Sequence, residues 1–423
     1  MLQTVLPLVD PGKIGLSSAP WTMHEFFAGS GLVAYGLKGM FAPLWANDIC
    51  PQKASVYEAN FGSEHFLLND IKNVRGADLP FAHLSWASFP CQDLSLAGAI
   101  GGIEACRSGL VWEWLRILDE MPAKPRVLLV ENVSGLLSAG SGAHYRKLHS
   151  ALVDRGYDCG AIMLDASRFV PQSRPRVFVI AVERGRRIPE ELVGSAPCWL
   201  HSKAAAELGK TLPGWIWWRS EEPPKRHTRL EDILEPDVPF DKDDVLRLIP
   251  ERHREKLDEH ATVYATGYRR TRQGRQQLEL RFDGIAGCLR TPEGGSSKQF
   301  IVLKKDGEVH ARLLTVRETA RLMGAPDSFR LPGSANDGYK AMGDAVALPV
   351  ARFIGEQFLL KIAEAAYDDR QASNADLGRR VVYEHSLFDE TNRSAAIAKI
   401  VDRYNDIVAA AETDPSLRIE FER

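Results

Sequence analysis

From Trp21 to about Glu183 short apolar runs alternate with amphipathic stretches, the rhythm of repeated βαβ units. The runs Met23–Phe27, Phe41–Ala46, Phe81–Ala87, Arg126–Val130, Gly160–Leu164 and Val177–Val182 predict buried strands. Between them Leu110–Glu120 and His144–Arg155 predict helices, and in the first Leu110, Trp114, Leu115 and Leu118 recur at helical spacing. The pattern predicts an α/β fold built on a doubly wound, mostly parallel sheet. After Glu183 the rhythm gives way to segments rich in Pro, Trp and charge, such as PGWIWWRSEEPPKRH, and no βαβ alternation returns before about Leu313. Helical pattern resumes over Ala351–Tyr367 and Arg393–Glu412. The expected division is a main domain over 21–183, a smaller second lobe over 184–335, and a segment 336–365 returning to the main domain. Extensions cover 1–20 and 366–423, the latter helical.

Composition changes this picture little. With 44% hydrophobic and 26% charged residues in 423, the chain reads as an ordinary globular enzyme. A net charge of -3 excludes wholesale electrostatic attraction to nucleic acid, so any phosphate binding needs a locally basic surface. One exists: Tyr264–Arg312 carries ten Arg or Lys against five Asp or Glu, with Arg269, Arg270, Arg272 and Arg275 bunched together. The six cysteines are widely spaced, without CxxC pairs or Cys/His clusters at zinc-ligand intervals, so a reduced protein without a metal is expected. The short apolar run Thr4–Val9 is interrupted by Pro7, and no stretch is long enough to span a bilayer; a cytoplasmic, nucleoid-associated protein is expected.

The segment HEFFAGSGL follows an apolar strand and opens a helix. Ala28, Gly29, Ser30 and Gly31 would form a tight turn that lets backbone approach a ligand, although a plain strand-to-helix turn has the same composition. Asp48, at the end of the next strand, could accept hydrogen bonds from both ribose hydroxyls, and Asp70, in LLNDI, could meet an adenine amino group. The loop AGSGLVAYG lacks the GxGxxG register, so a nicotinamide enzyme fits poorly.

In HLSWASFPCQDLS, Cys91 follows Pro90 at the end of a hydrophobic strand, where α/β active sites collect. A thiol held there near backbone donors and arginines can ionise near neutral pH and act as a nucleophile; alone, it would read as a packed core cysteine. LLVENVSGLL places Glu131 and Asn132 at another strand end facing the same crevice, though a capping or ion-paired glutamate is the plainer reading. In PQSRPRVFVIAV, Arg174 and Arg176 alternate just before a strand and should project on one face with Gln172, unless they are merely solvated charges.

In this order the residues resemble the cytosine-specific, carbon-5 DNA methyltransferase family, of bacterial modification type. FAGSG resembles its cofactor loop, FPCQ its nucleophile segment, ENV its carboxylate segment and QSRPR the segment whose arginines hold the target base. RLLTVRETARLMGAPDSF is similar to the helix supporting the recognition lobe, and YKAMGDAVALPVARFIGE to the final motif beside the cofactor loop; together they cover Met23 to Gln357. Two departures stand out: Asp344 follows Gly343 where the family usually has Asn, and Glu25 stands where it often has Asp. Asp344 could face the cofactor's sulfonium or ammonium, or pair with a local arginine.

The resemblance implies a class I, Rossmann-like methyltransferase with S-adenosylmethionine as methyl donor, S-adenosylhomocysteine as product, and no metal. It makes 21–183 the catalytic and cofactor-binding domain and 184–335 the target-recognition domain. Cofactor contacts would come from Phe27, Ala28, Gly29, Ser30, Gly31, Asp48, Ile49, Asp70, Ile71, Pro90, Leu110, Asp344 and Val346. In the implied reaction Cys91 adds to carbon 6 of cytosine while Glu131 hydrogen-bonds or protonates ring nitrogen 3, and carbon 5 attacks the methyl group. A base then removes the carbon 5 proton and Cys91 leaves; Arg176, with Arg174, would steady the electron-rich base. The target nucleotide must be turned out of the duplex. DNA contacts are expected from Gln92, Ser95, Asn132, Gln172, Arg269, Arg270, Arg272, Arg290, Ser296, Ser297 and Lys298, with the TPEGGSSKQ loop bordering the major groove. The partner is double-stranded DNA; a cognate restriction endonuclease would share the biology without a stable complex, and the enzyme is expected to act as a monomer. Two alternatives remain within the resemblance: methylation of transfer RNA, whose enzymes typically carry a Cys-Phe-Thr segment absent here, and a catalytically silent DNA-binding regulator.

Overall fold

The computed structural model describes residue 19 and residues 21–90, 109–292 and 297–368; all of its elements belong to one compact unit ending at Tyr367. The expectations for the extensions, Arg393–Glu412 included, lie outside the described residues, apart from the helix that runs to Ala366. Seven strands form the main sheet: β1 (Trp21–Phe26), β2 (Phe41–Asp48), β3 (Phe66–Leu68), β4 (Leu84–Ala87), β5 (Val127–Val133), β6 (Tyr157–Asp165) and β7 (Pro175–Glu183). Their order is β3-β2-β1-β4-β5-β7-β6, parallel except for β7, which runs antiparallel to both neighbours. This is the doubly wound, mostly parallel sheet expected. Strand order reverses between β1 and β4, and ligands of such sheets bind beyond the carboxyl ends of the strands at that point.

Helices α1 (Leu32–Gly36), α2 (Pro51–Phe61), α3 (Leu110–Glu120), α4 (Gly135–Ser138) and α5 (Ala143–Asp154) lie between these strands. Alternate strand residues enter opposite cores. Met23, Leu84, Trp86, Leu129, Phe178 and Ile180 face one; Phe26, Ala87, Leu128, Val130, Val177 and Val179 face the other, with Trp114, Leu115 and Leu118 of α3 and Leu148 and Leu152 of α5. At about 25 cal/mol per Å² of apolar surface, burial on both faces is the main favourable contribution to this architecture.

After β7 the short β8 (Val193–Gly194) and β9 (Trp217–Trp218) pair, and α6 (Lys203–Gly209) and α7 (Glu251–Asp258) follow. The basic window forms an antiparallel sheet of β10 (Val263–Arg272), β11 (Arg275–Arg281), β12 (Gln299–Lys305) and β13 (Glu308–Leu313), ordered β11-β10-β12-β13. It has its own core, including Leu257, Ala265, Leu278, Phe300, Val302 and Ala311. Helix α8 (Val316–Leu322) starts in a capping box, Thr315 bonding the Glu318 amide and Glu318 bonding back. Glu318 is fully buried and also pairs with buried Arg312 at 2.7 Å, binding this helix to β13. Then α9 (Ala335–Asp344), α10 (Leu348–Ile354), a π turn and α11 (Leu360–Ala366) return the chain to the main sheet. There Val350, Ile354, Phe358 and Ile362 share a core with Leu37 and Met40, which follow α1. Tyr367 receives the Arg126 amide proton at 2.7 Å and donates to the His83 carbonyl at 2.9 Å.

Candidate active site

The loop after β1 turns where the chain must leave the sheet and enter α1. Phe27 (φ 58°), Gly29 (φ 58°) and Gly31 (φ 81°) all occupy the left-handed region, unusual for phenylalanine and a mark of a conformation imposed by its surroundings. The two glycines differ in what surrounds them. A Cβ on Gly31 would lie 2.5 Å from Phe61 Cε2 and 2.8 Å from Tyr57 Cδ2, so Gly31 lets α2 close onto the loop. At Gly29 the nearest atom would be Lys53 Cδ at 3.9 Å, leaving open backbone of the kind a ligand approaches. Ser30 is buried and donates to the Ala341 carbonyl at 3.3 Å, tying the loop to α9.

Asp48 braces this loop from the end of β2. Its Oδ2 accepts the Gly29 amide at 2.9 Å and its Oδ1 the Cys50 amide at 2.9 Å. A carboxylate has about four lone-pair positions, so each oxygen keeps room for another donor. Asp70 caps the turn at Ile71–Asn73 through Oδ1, leaving Oδ2 without a partner among the described residues. Ile49 is exposed at the same sheet edge, whereas the side chains of Ile71 and Val346 are buried in the two cores and Leu110 packs at the edge of one. Glu25, on the Met23 side of β1, is buried with both carboxylate oxygens lacking hydrogen bonds, and burial pushes its pKa up to about 8.

Asp344 has a direct partner that neither expectation named, while the charge of Arg174 also acts on it. Its Oδ2 lies 2.6 Å from Lys53 Nζ on α2, and its Oδ1 is bonded to Thr291 Oγ1. Crowding by the protein opposes ionisation, but Lys53 and Thr291 outweigh it and hold the carboxyl below the usual range.

Beside this, β4 and β5 run parallel in register from Leu84↔Val127 to Ala87↔Val130, so Ser88, the first residue past β4, comes beside Glu131, which is still in β5 and paired with Phe178 of β7. Asn132, buried, donates to the Phe89 carbonyl at 3.3 Å and thereby anchors the segment ending at Pro90. In this structure its amide supports that segment. Cys91, Gln92, Ser95 and Ser296 lie outside the described residues. Glu131 is 7% exposed, with Oε1 3.1 Å from Arg176 Nε. Burial raises its proton affinity above the ordinary carboxylate value despite the opposing charges of Arg176 and Arg174.

The two arginines part company. Arg174 is 2% exposed; Nη1 donates to the Leu289 carbonyl at 3.0 Å and Nη2 to the Gly343 carbonyl at 2.9 Å, so it clamps the loop before β12 to α9. Gln172 is also fully buried, donating to the Leu322 carbonyl at 2.8 Å and accepting the Leu289 amide at 3.0 Å. Only Arg176 meets Glu131. Gln172 and Arg174 precede β7 and follow a loop path, yet all three side chains converge on one neighbouring segment, Gln172 and Arg174 at Leu289 and both arginines at Cys288.

Residues without a sequence signal complete the site. Cys288 Sγ lies 3.2 Å from Arg174 Nη1 and 3.9 Å from Arg176 Nη2; burial opposes ionisation, but the two guanidinium charges lower the thiol's pKa. The Cys288 carbonyl accepts the Tyr268 hydroxyl at 2.7 Å, joining β10 to the Glu131–Arg176 pair. Arg269, Arg270, Arg272, Arg290 and Ser297, singled out separately in the sequence, line one cavity of about 250 Å³ with Tyr268, Thr271 and Gln276. Lys298 sits apart, 2.7 Å from Asn336 Oδ1 and over the Tyr339 ring. No metal-ligating group of three His, Cys, Asp or Glu occurs, and no helix is long and apolar enough to cross a membrane, among the described residues.

The sequence profile described as C-5 cytosine-specific DNA methylase matches residues 21–359. The type II methyltransferase M.NlaX of Neisseria lactamica is 28% identical over 353 residues, 82% of this chain and 98% of the relative. M.HhaI of Haemophilus parahaemolyticus is 26% identical over 340 residues, 78% and 91% respectively. Among solved structures, S. pombe Dnmt2 methyltransferase superposes with a TM-score of 0.52 at 19% identity, covering 79% of this chain and 98% of the other. A Spodoptera frugiperda DNMT2 variant gives 0.53 at 19%, covering 81% and 99%; these two show the likeness of fold.

Proposed function

The chain belongs to the C-5 cytosine-specific DNA methylase family and is a DNA (cytosine-5-)-methyltransferase, and from that premise we propose how its residues divide the work. It takes the methyl group of S-adenosylmethionine, turns a cytosine out of duplex DNA, and bonds Cys91 covalently to carbon 6 while carbon 5 is methylated. The type II relatives support a place for it in a bacterial restriction-modification system.

The observation that carries this reading is the buried Glu131–Arg176 pair at the carboxyl end of β5, with the proton affinity of Glu131 raised. A carboxyl that keeps a proton nearer neutrality can donate it to ring nitrogen 3, and the adjacent guanidinium can bond the base oxygen. Asn132 holds the backbone that leads through Pro90 to the thiol. Arg174 and Gln172 act as positioning residues, fixing Leu289 and hence Cys288 behind Arg176.

The cofactor fits the residues present: open backbone at Gly29, the braced carboxylate of Asp48, and the spare oxygen of Asp70. When bound, S-adenosylmethionine supplies an electrophilic methyl group on sulfonium. Gly29–Gly31 would hold its chain, Asp48 the ribose hydroxyls, and Asp70 the adenine amino group. Arg269, Arg270, Arg272, Arg290 and Ser297 provide the DNA-contacting surface.

The test uses duplex containing 5-fluorocytosine, whose carbon 5 cannot lose a proton, with S-adenosylmethionine. The wild-type chain should form a denaturation-resistant adduct and Cys91→Ala none. An adduct that persists in Cys91→Ala defeats the nucleophile assignment. Bisulfite sequencing of a genome expressing the chain should reveal new methylcytosine at one sequence; none would defeat the activity assignment for this chain.

A further inference from the structure

The basic hairpin carries its own counterion. In β10, Tyr268, Arg270 and Arg272 share one face, and their partners on β11, Glu279, Gln277 and Arg275, share it too. This face continues to the active site, since Tyr268 bonds the Cys288 carbonyl and Cys288 lies against Arg174 and Arg176. Pairing of β10 with β12 ends at Tyr268↔Gln299, so beyond it Arg269–Arg272 and β11 form a two-stranded ribbon. Its turn, Gln273 (φ 50°) and Gly274 (φ 76°), has the two positive φ values of a tight hairpin.

Glu279 occupies the centre of this face. Its Oε1 lies 2.7 Å from Arg272 Nε and its Oε2 3.1 Å from Arg272 Nη2, a bidentate pair, while Arg270 Nε lies 3.3 Å from Oε2. The arginine side chains are exposed, 38% for Arg270 and 57% for Arg272, but Glu279 is 18% exposed, seated among them. Both arginines line the 250 Å³ cavity with Arg290, which has no ion pair among the described residues. One carboxylate therefore serves two of the guanidinium groups placed to meet a phosphate.

We propose that Glu279 is a specificity-determining residue: it holds Arg270 and Arg272 in a shared ion pair that cancels one of their two charges against passing phosphates, and yields them only to a backbone phosphate held in place by a correctly docked duplex. This rests on the DNA-binding reading above and concerns how that surface is regulated. Non-specific affinity for DNA is almost wholly electrostatic, so a phosphate that must displace a bidentate carboxylate gains little, and the enzyme is released from sequences it does not modify.

The test measures affinity for a duplex of random sequence as a function of salt, in the full chain. Each phosphate newly neutralised steepens the slope of log K against log[salt] by about 0.9. Glu279→Gln removes one negative charge from the trio and lets it neutralise one more phosphate, so its slope should exceed wild type by about 0.9, equivalent to about an 8-fold gain in affinity between 1 M and 0.1 M salt. Adding Arg270→Gln and Arg272→Gln to Glu279→Gln should abolish the increase. Asp306→Asn, which makes the same change of charge in the β12–β13 turn without an ion pair among the described residues, should leave the slope within about 0.3 of wild type. If Glu279→Gln does not fold, Glu279→Asp, which keeps the charge but draws it back, should give an intermediate slope.

Equal slopes for wild type and Glu279→Gln, or an equal increase in Asp306→Asn, overturn the inference. Either result can occur with methylation intact and leaves the functional reading standing. A wild-type chain with no salt-dependent affinity for duplex instead overturns the DNA-binding reading itself.

Discussion

Gly29 and Gly31 stand two residues apart in one loop with similar φ, yet the structure assigns them different consequences. Alanine at either position must hold a left-handed backbone, which costs about 1–2 kcal/mol for a residue with a Cβ. At Gly31 the methyl would also meet Phe61 Cε2 at 2.5 Å and Tyr57 Cδ2 at 2.8 Å, both on buried rings of α2. Such overpacking adds about 1–3 kcal/mol, so Gly31→Ala should lose about 2–5 kcal/mol of stability. At Gly29 the methyl meets nothing nearer than Lys53 Cδ at 3.9 Å, and the loss should stop near 1–2 kcal/mol. Its cost falls on the ligand instead, because it projects into the space proposed for the cofactor. Thermal unfolding without cofactor should rank Gly31→Ala well below Gly29→Ala, at roughly 2 °C per kcal/mol for a long chain. Calorimetric titration with S-adenosylhomocysteine should show at least a tenfold loss in Gly29→Ala, about 1.4 kcal/mol. Equal destabilisation of the two variants would refute the packing assignment, and full cofactor affinity in Gly29→Ala would refute the cradle.

Turnover should fall as pH rises through the raised pKa of Glu131, which must hold a proton to donate one; that limb should vanish in Glu131→Gln, and an unchanged pH profile would count against the general-acid role. Glu25, at about 8 when folded, keeps a proton that the unfolded chain releases near 4.5. Its contribution to stability is therefore fully present below pH 4.5 and is lost as pH rises towards 8, a fall of a few kcal/mol that denaturant titration should find flattened in Glu25→Gln. Arg174→Ala strands the Leu289 and Gly343 carbonyls and should lower stability by about 3 kcal/mol, while Arg176→Ala should spare stability more and cost turnover. Lys53→Met and Asp344→Asn should each cost under about 1 kcal/mol, with a coupling of about 0.5–1 kcal/mol in the double variant if the pair forms in solution.

Continuous apolar runs made the main strands legible, because a strand covered on both faces tolerates few polar residues. Strand β3 escaped notice: it has three residues at the sheet edge, and Leu67 and Leu68 are exposed, so no buried pattern marks it. The second sheet was visible only as charge, its β10–β11 ribbon carrying arginine where alternation would place apolar side chains. Glu131 and Arg176 were legible because each stands at the end of an apolar run. Lys53 was not, since its partner Asp344 is 291 positions away and neither segment advertises the other. Cys288 is similar: its meaning comes from two arginines more than a hundred residues earlier, delivered by the antiparallel turn of β7.

The return of α10 and α11 to the main sheet has a consequence for the order in which the molecule can be made. Leu37 and Met40 are translated early, but the side chains that cover them, Ile354 and Phe358 among them, emerge only after the whole second sheet. At about 5–20 residues per second the ribosome leaves that surface bare for roughly 15–60 s. During this interval the nascent chain has its first strands but an uncovered apolar side, a substrate for chaperones rather than for S-adenosylmethionine. Until Ile354 and Phe358 have emerged, the core around Leu37 and Met40, just past the helix that follows the Gly29–Gly31 loop, lacks that cover.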